Sequence, residues 1–150
     1  MTALTLQLSI LILAAIFAGI VLFLALVLKP VFIGITEAEY YTVFTRLIRN
    51  GRKSILINAI MLLPILLLIV YLVVYGFENP LFIMGVVIYV IGSLGISRAI
   101  NEPAYTRLLA LRPESCAAIN ELRSRISLGN LLRAVISSLG VVIIGVLLVV

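Results

Sequence analysis

Apolar residues in this chain gather in four long runs rather than in short alternating stretches. The first extends from Leu8 to Leu28 and ends at Lys29-Pro30. The second covers Ile55 to Tyr75, the third Leu81 to Ile96 and the fourth Leu131 to Val150. A hydrocarbon core about 30 Å thick needs roughly 20 helical residues at about 1.5 Å each. Three runs meet that length as they stand, and the third reaches it at Ile100 if Arg98 extends its head to the interface. In lipid, backbone polar groups must be satisfied within the segment, so each run is predicted as a helix. The expectation is an all-α membrane protein, one integral domain over 1–150. It is an antiparallel bundle of four transmembrane helices at about 8–28, 55–75, 81–100 and 131–150, with loops 29–54 and 101–130. The first run lacks a basic leader and a small-residue cleavage pattern and is read as a retained helix.

The loops carry a pattern too. In EAEYYTVFTRLIRNGRKS, Tyr40, Val43, Phe44, Leu47 and Ile48 follow helical spacing, with Arg46, Arg49 and Lys53 on another face. This predicts a basic amphipathic helix that either lies at the interface or extends the second span inward. In the other loop Pro113 and Glu114 suit a first helical turn, and Ile119, Leu122 and Ile126 make an apolar stripe. A helix from Pro113 through the fourth run would be about 55 Å long. The five-residue turn Gly76–Pro80 makes the second and third spans antiparallel neighbours. Small residues at Ala15 and Gly19, and at Gly85, Gly92 and Gly95, mark faces for close packing within the bundle or between protomers.

Composition supports lipid as the solvent. Hydrophobic residues make up 64% and charged residues 11% of the chain, against roughly 45–50% and about 25% in soluble domains. The distribution of charge gives an orientation. Lys29, Arg46, Arg49, Arg52 and Lys53 fall between the first two runs. Arg98, Arg107, Arg112, Arg123 and Arg125 fall between the last two, with Arg133 just inside the fourth. The positive-inside rule places both long loops in the cytoplasm and both termini outside, in the inner (plasma) membrane.

Familiar catalytic patterns are missing. One cysteine and no histidine exclude an intramolecular disulfide, a Cys/His zinc site and His-ligated haem or copper. No cofactor, no metal and no nucleic-acid partner is expected. Polar residues instead collect at one depth. Asn58 lies about a turn into the second span, Arg98 and Asn101 are three apart at the inner end of the third, and Asn130 and Arg133 are three apart at the start of the fourth. Residues so spaced share a helix face, so Asn58, Arg98, Asn101, Asn130 and Arg133 form a candidate polar pocket. Such a set suits an anionic or enolate-like oxygen, with Glu102 or Tyr105 exchanging a proton. The plainer alternative is that basic inner ends satisfy topology and that Asn101 with Pro103 closes a helix.

Three segments carry a resemblance. FAGIVLFLALVLKPVF, NEPAYTRLL and NLLRAVISSLGVVIIGVLL resemble the first helix, the Asn–x–Pro segment and the Asn–x–x–Arg helix opening of the anthrone-oxygenase-like family of small four-helix membrane proteins. The chain departs from that pattern at Ala104-Tyr105-Thr106, where the family tends to carry a second asparagine, and in lacking tryptophan. The resemblance implies a four-helix bundle and cofactor-free oxygenation of an aromatic polyketide, with Asn101, Asn130 and Arg133 as the residues carried over. Three functions follow from the sequence. The leading one is an accessory or structural subunit packed against membrane partners or a second copy. The others are an anthrone-oxygenase-like enzyme and a small-molecule binder or transporter.

Overall fold

A computed structural model describes residues 2–149. Among them are five helices and no strand. Helix α1 spans Ala3–Ile33, α2 Glu37–Lys53, α3 Ile55–Tyr75, α4 Pro80–Ala110 and α5 Cys116–Val149. Helices α1, α3, α4 and α5 are long and apolar enough to cross a membrane, and the chain is a four-span helical membrane protein.

Two spans run further than their apolar runs predict. Helix α1 passes through Lys29-Pro30 to Ile33, and α4 passes through Pro103 to Ala110. Both prolines follow a π-helical stretch, Phe23–Leu28 in α1 and Ser97–Asn101 in α4. A proline lacks a donor and crowds the carbonyl four residues back. The wider i→i+5 turn ahead of it gives that carbonyl room, so the helix continues instead of ending. Pro103 therefore closes no helix. The fifth helix starts at Cys116 rather than Pro113, because Ser115 N–H bonds the Arg112 carbonyl in a turn at 3.1 Å.

Local signals set the other ends. Thr36 and Glu39 form a reciprocal capping box that starts α2. Ser54, with extended backbone, breaks α2 from α3 and caps α3 through the Ile57 N–H at 3.3 Å. The amphipathic helix is thus separate from the second span. Gly76 closes α3 at φ 62°, a region open to glycine. Asn79 accepts from Phe82 N–H at 3.0 Å to open α4.

Packing falls into three layers. At the turn end, Leu6 and Ile10 of α1 meet Leu68 and Tyr71 of α3, Phe82 and Val86 of α4, and Ile144 of α5. Phe17, Val21, Tyr89 and Ala134 fill the middle. At the loop end Tyr40, Phe44 and Ile48 of α2 pack on Ala104 and Leu108 of α4 and on Ile119, Leu122 and Ile126 of α5. Val43 and Leu47, predicted on the same face of α2, are exposed on its flank.

Helices α4 and α5 approach through glycines. A Cβ at Gly92 would meet the Ser137 backbone nitrogen at 2.5 Å, and one at Gly140 would meet that of Tyr89 at 2.5 Å. Gly85 likewise faces Ile144. Gly95 does not share this contact, and Gly19 on α1 has open space where its Cβ would stand. Helix α3 packs along α1 and meets α4 at the turn end, where the Tyr71 and Phe82 rings lie 5.0 Å apart. Towards the loop end α3 and α4 part, with Pro64 inside α3 between the two regimes.

Candidate functional site

The parting of α3 and α4 leaves a cavity of about 400 Å³. Its apolar wall comes from α1 (Phe17, Ile20, Val21, Leu24), from Phe44, Leu47 and Ile48 of α2, and from Met61 and Leu94. Its polar groups come from four helices: Arg52 of α2, Asn58 of α3, Arg98, Glu102 and Tyr105 of α4, and Asn130 and Arg133 of α5. The π-helical stretch Phe23–Leu28 supplies Leu24. Those at Ile91–Gly95 and Ser97–Asn101 supply Leu94, Ser97 and Arg98. Such stretches turn side chains that a regular helix would point elsewhere, which is why they recur at functional sites.

Four of the five predicted polar residues, Asn58, Arg98, Asn130 and Arg133, line this cavity. Asn101 stands behind it. It is 0% exposed, and its Nδ2 donates to Asn130 Oδ1 at 2.7 Å and to Tyr105 Oη at 3.2 Å. Its side chain makes no cap. Asn101 is therefore a tie between α4 and α5 that orients Asn130 and Tyr105, both of which face the cavity. Its Oδ1 has no partner and faces Gly129, where a Cβ would overlap it. Asn58 Nδ2 donates to the Arg52 carbonyl at 3.1 Å and so fastens the broken end of α2 to α3.

Arg133 is 8% exposed. Its guanidinium stands over the Phe17 ring at 5.6 Å, and its Nε finds no acceptor. No ion pair with a carboxylate holds it among the described residues. A buried cation is normally paired, since removal from water costs several kcal/mol per ion. Arg52 does have such a partner. It bonds Glu102 at 2.6 Å across the gap between α2 and α4. The cavity thus has one neutralised pair at its loop-side rim and, at depth, a cation that meets the Tyr105 hydroxyl rather than a carboxylate. Towards the turn end it stops at Phe17, which meets Tyr89 edge-on at 6.2 Å.

Sequence spacing did not reveal Arg52 and Gly129 in these positions, nor that Glu102, expected beside the pocket, pairs with Arg52. Arg52 and Glu102 meet only because α2 folds back over the bundle. Gly129 matters only because Asn101 occupies the space beside it. No protein-family model, no characterised protein and no solved structure matches this chain.

Proposed function

We propose that the protein is a membrane-embedded, cofactor-free enzyme acting on a ring-sized, weakly acidic apolar molecule. The observation that supports this reading is Arg133, buried without a carboxylate partner on the wall of a cavity otherwise mostly apolar. A volume of about 400 Å³ falls in the range of small-molecule sites. The substrate body would pack on Phe17, Ile20 and Met61, with its ionisable oxygen on Arg133 and Asn130. Loss of a proton from a carbon beside the carbonyl would place charge on that oxygen, and a preorganised cation stabilises such charge. Glu102, held in its ion pair, would take the proton, and the Tyr105 hydroxyl would donate a hydrogen bond to the charged oxygen. The resemblance to the anthrone-oxygenase-like family points the same way. There, dioxygen would convert the activated methylene to a carbonyl, with one oxygen atom retained and the other leaving as water. The positive-inside distribution of Lys and Arg supports a cytoplasmic location for the cavity.

The test is anthrone turnover and oxygen uptake by the purified protein, with mass spectrometry of any molecule retained through mild-detergent purification. Arg133→Gln should lower kcat/KM by about 100-fold or more, the scale seen on losing one oxyanion donor. Absence of both turnover and a retained small molecule sinks the enzyme reading.

The accessory-subunit reading keeps one specific support. Ala15 and Gly19 face outward, and nothing packs where a Gly19 Cβ would stand. Such a face suits another helix in the bilayer, and co-purification of a second membrane protein or a second copy would favour it. No observation favours a transporter, because Tyr89, Ser93 and Ser137 are buried among packed helices.

A further inference from the structure

A second, smaller cavity lies on the other side of Asn130, between the end of α1, helix α2 and helix α5. Its volume is about 30 Å³ and its wall includes Lys29, Tyr40, Arg123 and Ser127. Three of these lining residues carry polar side-chain atoms without partners. Tyr40 Oη, Arg123 Nε and Nη2, and Ser127 Oγ are all buried and make no hydrogen bond. Tyr40 is 1% exposed, and the Arg123 guanidinium stacks on its ring at 4.7 Å. Burial pushes the Tyr40 hydroxyl above its ordinary range, so it keeps its proton and remains a donor. Among the described residues neither Lys29 nor Arg123 is in an ion pair.

Two cations and two hydroxyls on residues that line one small space suit an oxyanion, which needs only small side-chain rotations to meet them. The space is small, room for a few oxygen-sized atoms at most, since one water needs about 10–15 Å³ of such space. A whole solute does not fit, but one oxygen of a larger group does. Lys29 directly follows its apolar run and Arg123 stands eight residues, about 12 Å, before the start of its own, so the two bracket the depth at which lipid phosphates sit. Leu24, Phe32, Ile33 and Ile126 give the same cavity an apolar side. We infer that Arg123, Tyr40, Ser127 and Lys29 form a binding site for the phosphate of an anionic phospholipid headgroup at the loop end of the bundle. Basic pockets between transmembrane helices recognise headgroups in this way.

The test measures thermal unfolding of the full chain in detergent after adding phosphatidylglycerol, phosphatidylcholine or inorganic phosphate. Phosphatidylglycerol should raise the midpoint by about 5 °C over phosphatidylcholine, the order expected for ligand well above its Kd. Arg123→Gln and Tyr40→Phe should each weaken the apparent affinity, the former by about tenfold. Arg125→Gln removes the same charge from α5 outside the cavity and should leave the shift intact. An equal shift from inorganic phosphate that Arg123→Gln abolishes supports the oxyanion site and replaces the lipid by a free anion. Equal midpoints in all three additives, or equal losses in Arg123→Gln and Arg125→Gln, overturn the site and leave solvent or general surface charge.

Discussion

Asn101 and Asn130 are residues whose common depth was legible in advance, while their contact was one of two readings left open. Each lies three positions from an arginine on its own helix, and antiparallel spans bring their ends to one level. Their hydrogen bond at 2.7 Å should register as a coupling energy in an Asn101→Ala, Asn130→Ala double-mutant cycle read by unfolding in mixed micelles. About 0.6–1.7 kcal/mol is expected, the range for side-chain bonds between membrane helices. What spacing could not show is that Asn101 needs a glycine opposite. Gly129→Ala should cost about 1–3 kcal/mol, the scale of overpacking a close contact, and should remove most of that coupling. A Gly129→Ala protein as stable as the parent would show that α4 and α5 separate freely at this level. Glu39 shows a residue-level effect that depends on pH. Hydrogen bonds from the Thr36 hydroxyl, and then from its backbone N–H, hold the Glu39 carboxyl below its ordinary value of 4.5. Its contribution to α2 is complete above that value and fades as pH falls through the lowered one. Acid titration followed by peptic cleavage at Phe44 and Leu47 should show α2 loosening at low pH, and Glu39→Gln should flatten that dependence.

At the scale of elements, apolar length located every span but misjudged where two of them stop. Lys29-Pro30 and Asn101-Glu102-Pro103 have the composition of helix ends, yet both lie inside continuous helices. The π-helical turns that carry the chain through each proline have no periodicity of their own to read in a sequence. The same turns bring Leu24, Leu94 and Arg98 to the cavity wall, so the missed boundary and the missed shape share one cause. The small-residue faces divide along similar lines. Gly92 and Gly140 sit where α4 and α5 backbones nearly touch, and Gly19 faces open space. Gly92→Ala and Gly140→Ala should each destabilise the bundle by about 1–3 kcal/mol. Gly19→Ala should be neutral or stabilising by up to about 1 kcal/mol in the isolated protein, because glycine weakens a helix interior. Measured beside a co-purified partner, loss of association in Gly19→Leu without loss of monomer stability would assign that face to the partner.

For the molecule as a whole, the uneven placement of charge decides what the four spans enclose. All eleven basic residues lie at or near one end, and α2 folds over that end, joining Arg52 to Glu102 and Tyr41 Oη to the Leu111 carbonyl at 2.8 Å. The turn end is closed by tight apolar packing, whereas the loop end keeps two cavities lined by arginines that have no carboxylate partner among the described residues. Burying Arg133 and half-burying Arg123 costs stability that apolar side chains would not. A bundle needing only to span the bilayer would gain by replacing them. An anion reaching that end would offset this cost, and its source would depend on which way the protein faces. Cys116 reports the orientation directly. It is the one cysteine in the chain, it is exposed, and it opens α5 at the loop end. A membrane-impermeant maleimide should leave it unlabelled in intact cells and label it in inverted vesicles, with detergent-solubilised protein as the full-labelling reference. That outcome sets both cavities on the cytoplasmic face, open to metabolites and to inner-leaflet anionic lipid. Labelling in intact cells would reverse the bundle, contradict the positive-inside assignment, and require both anions to come from outside.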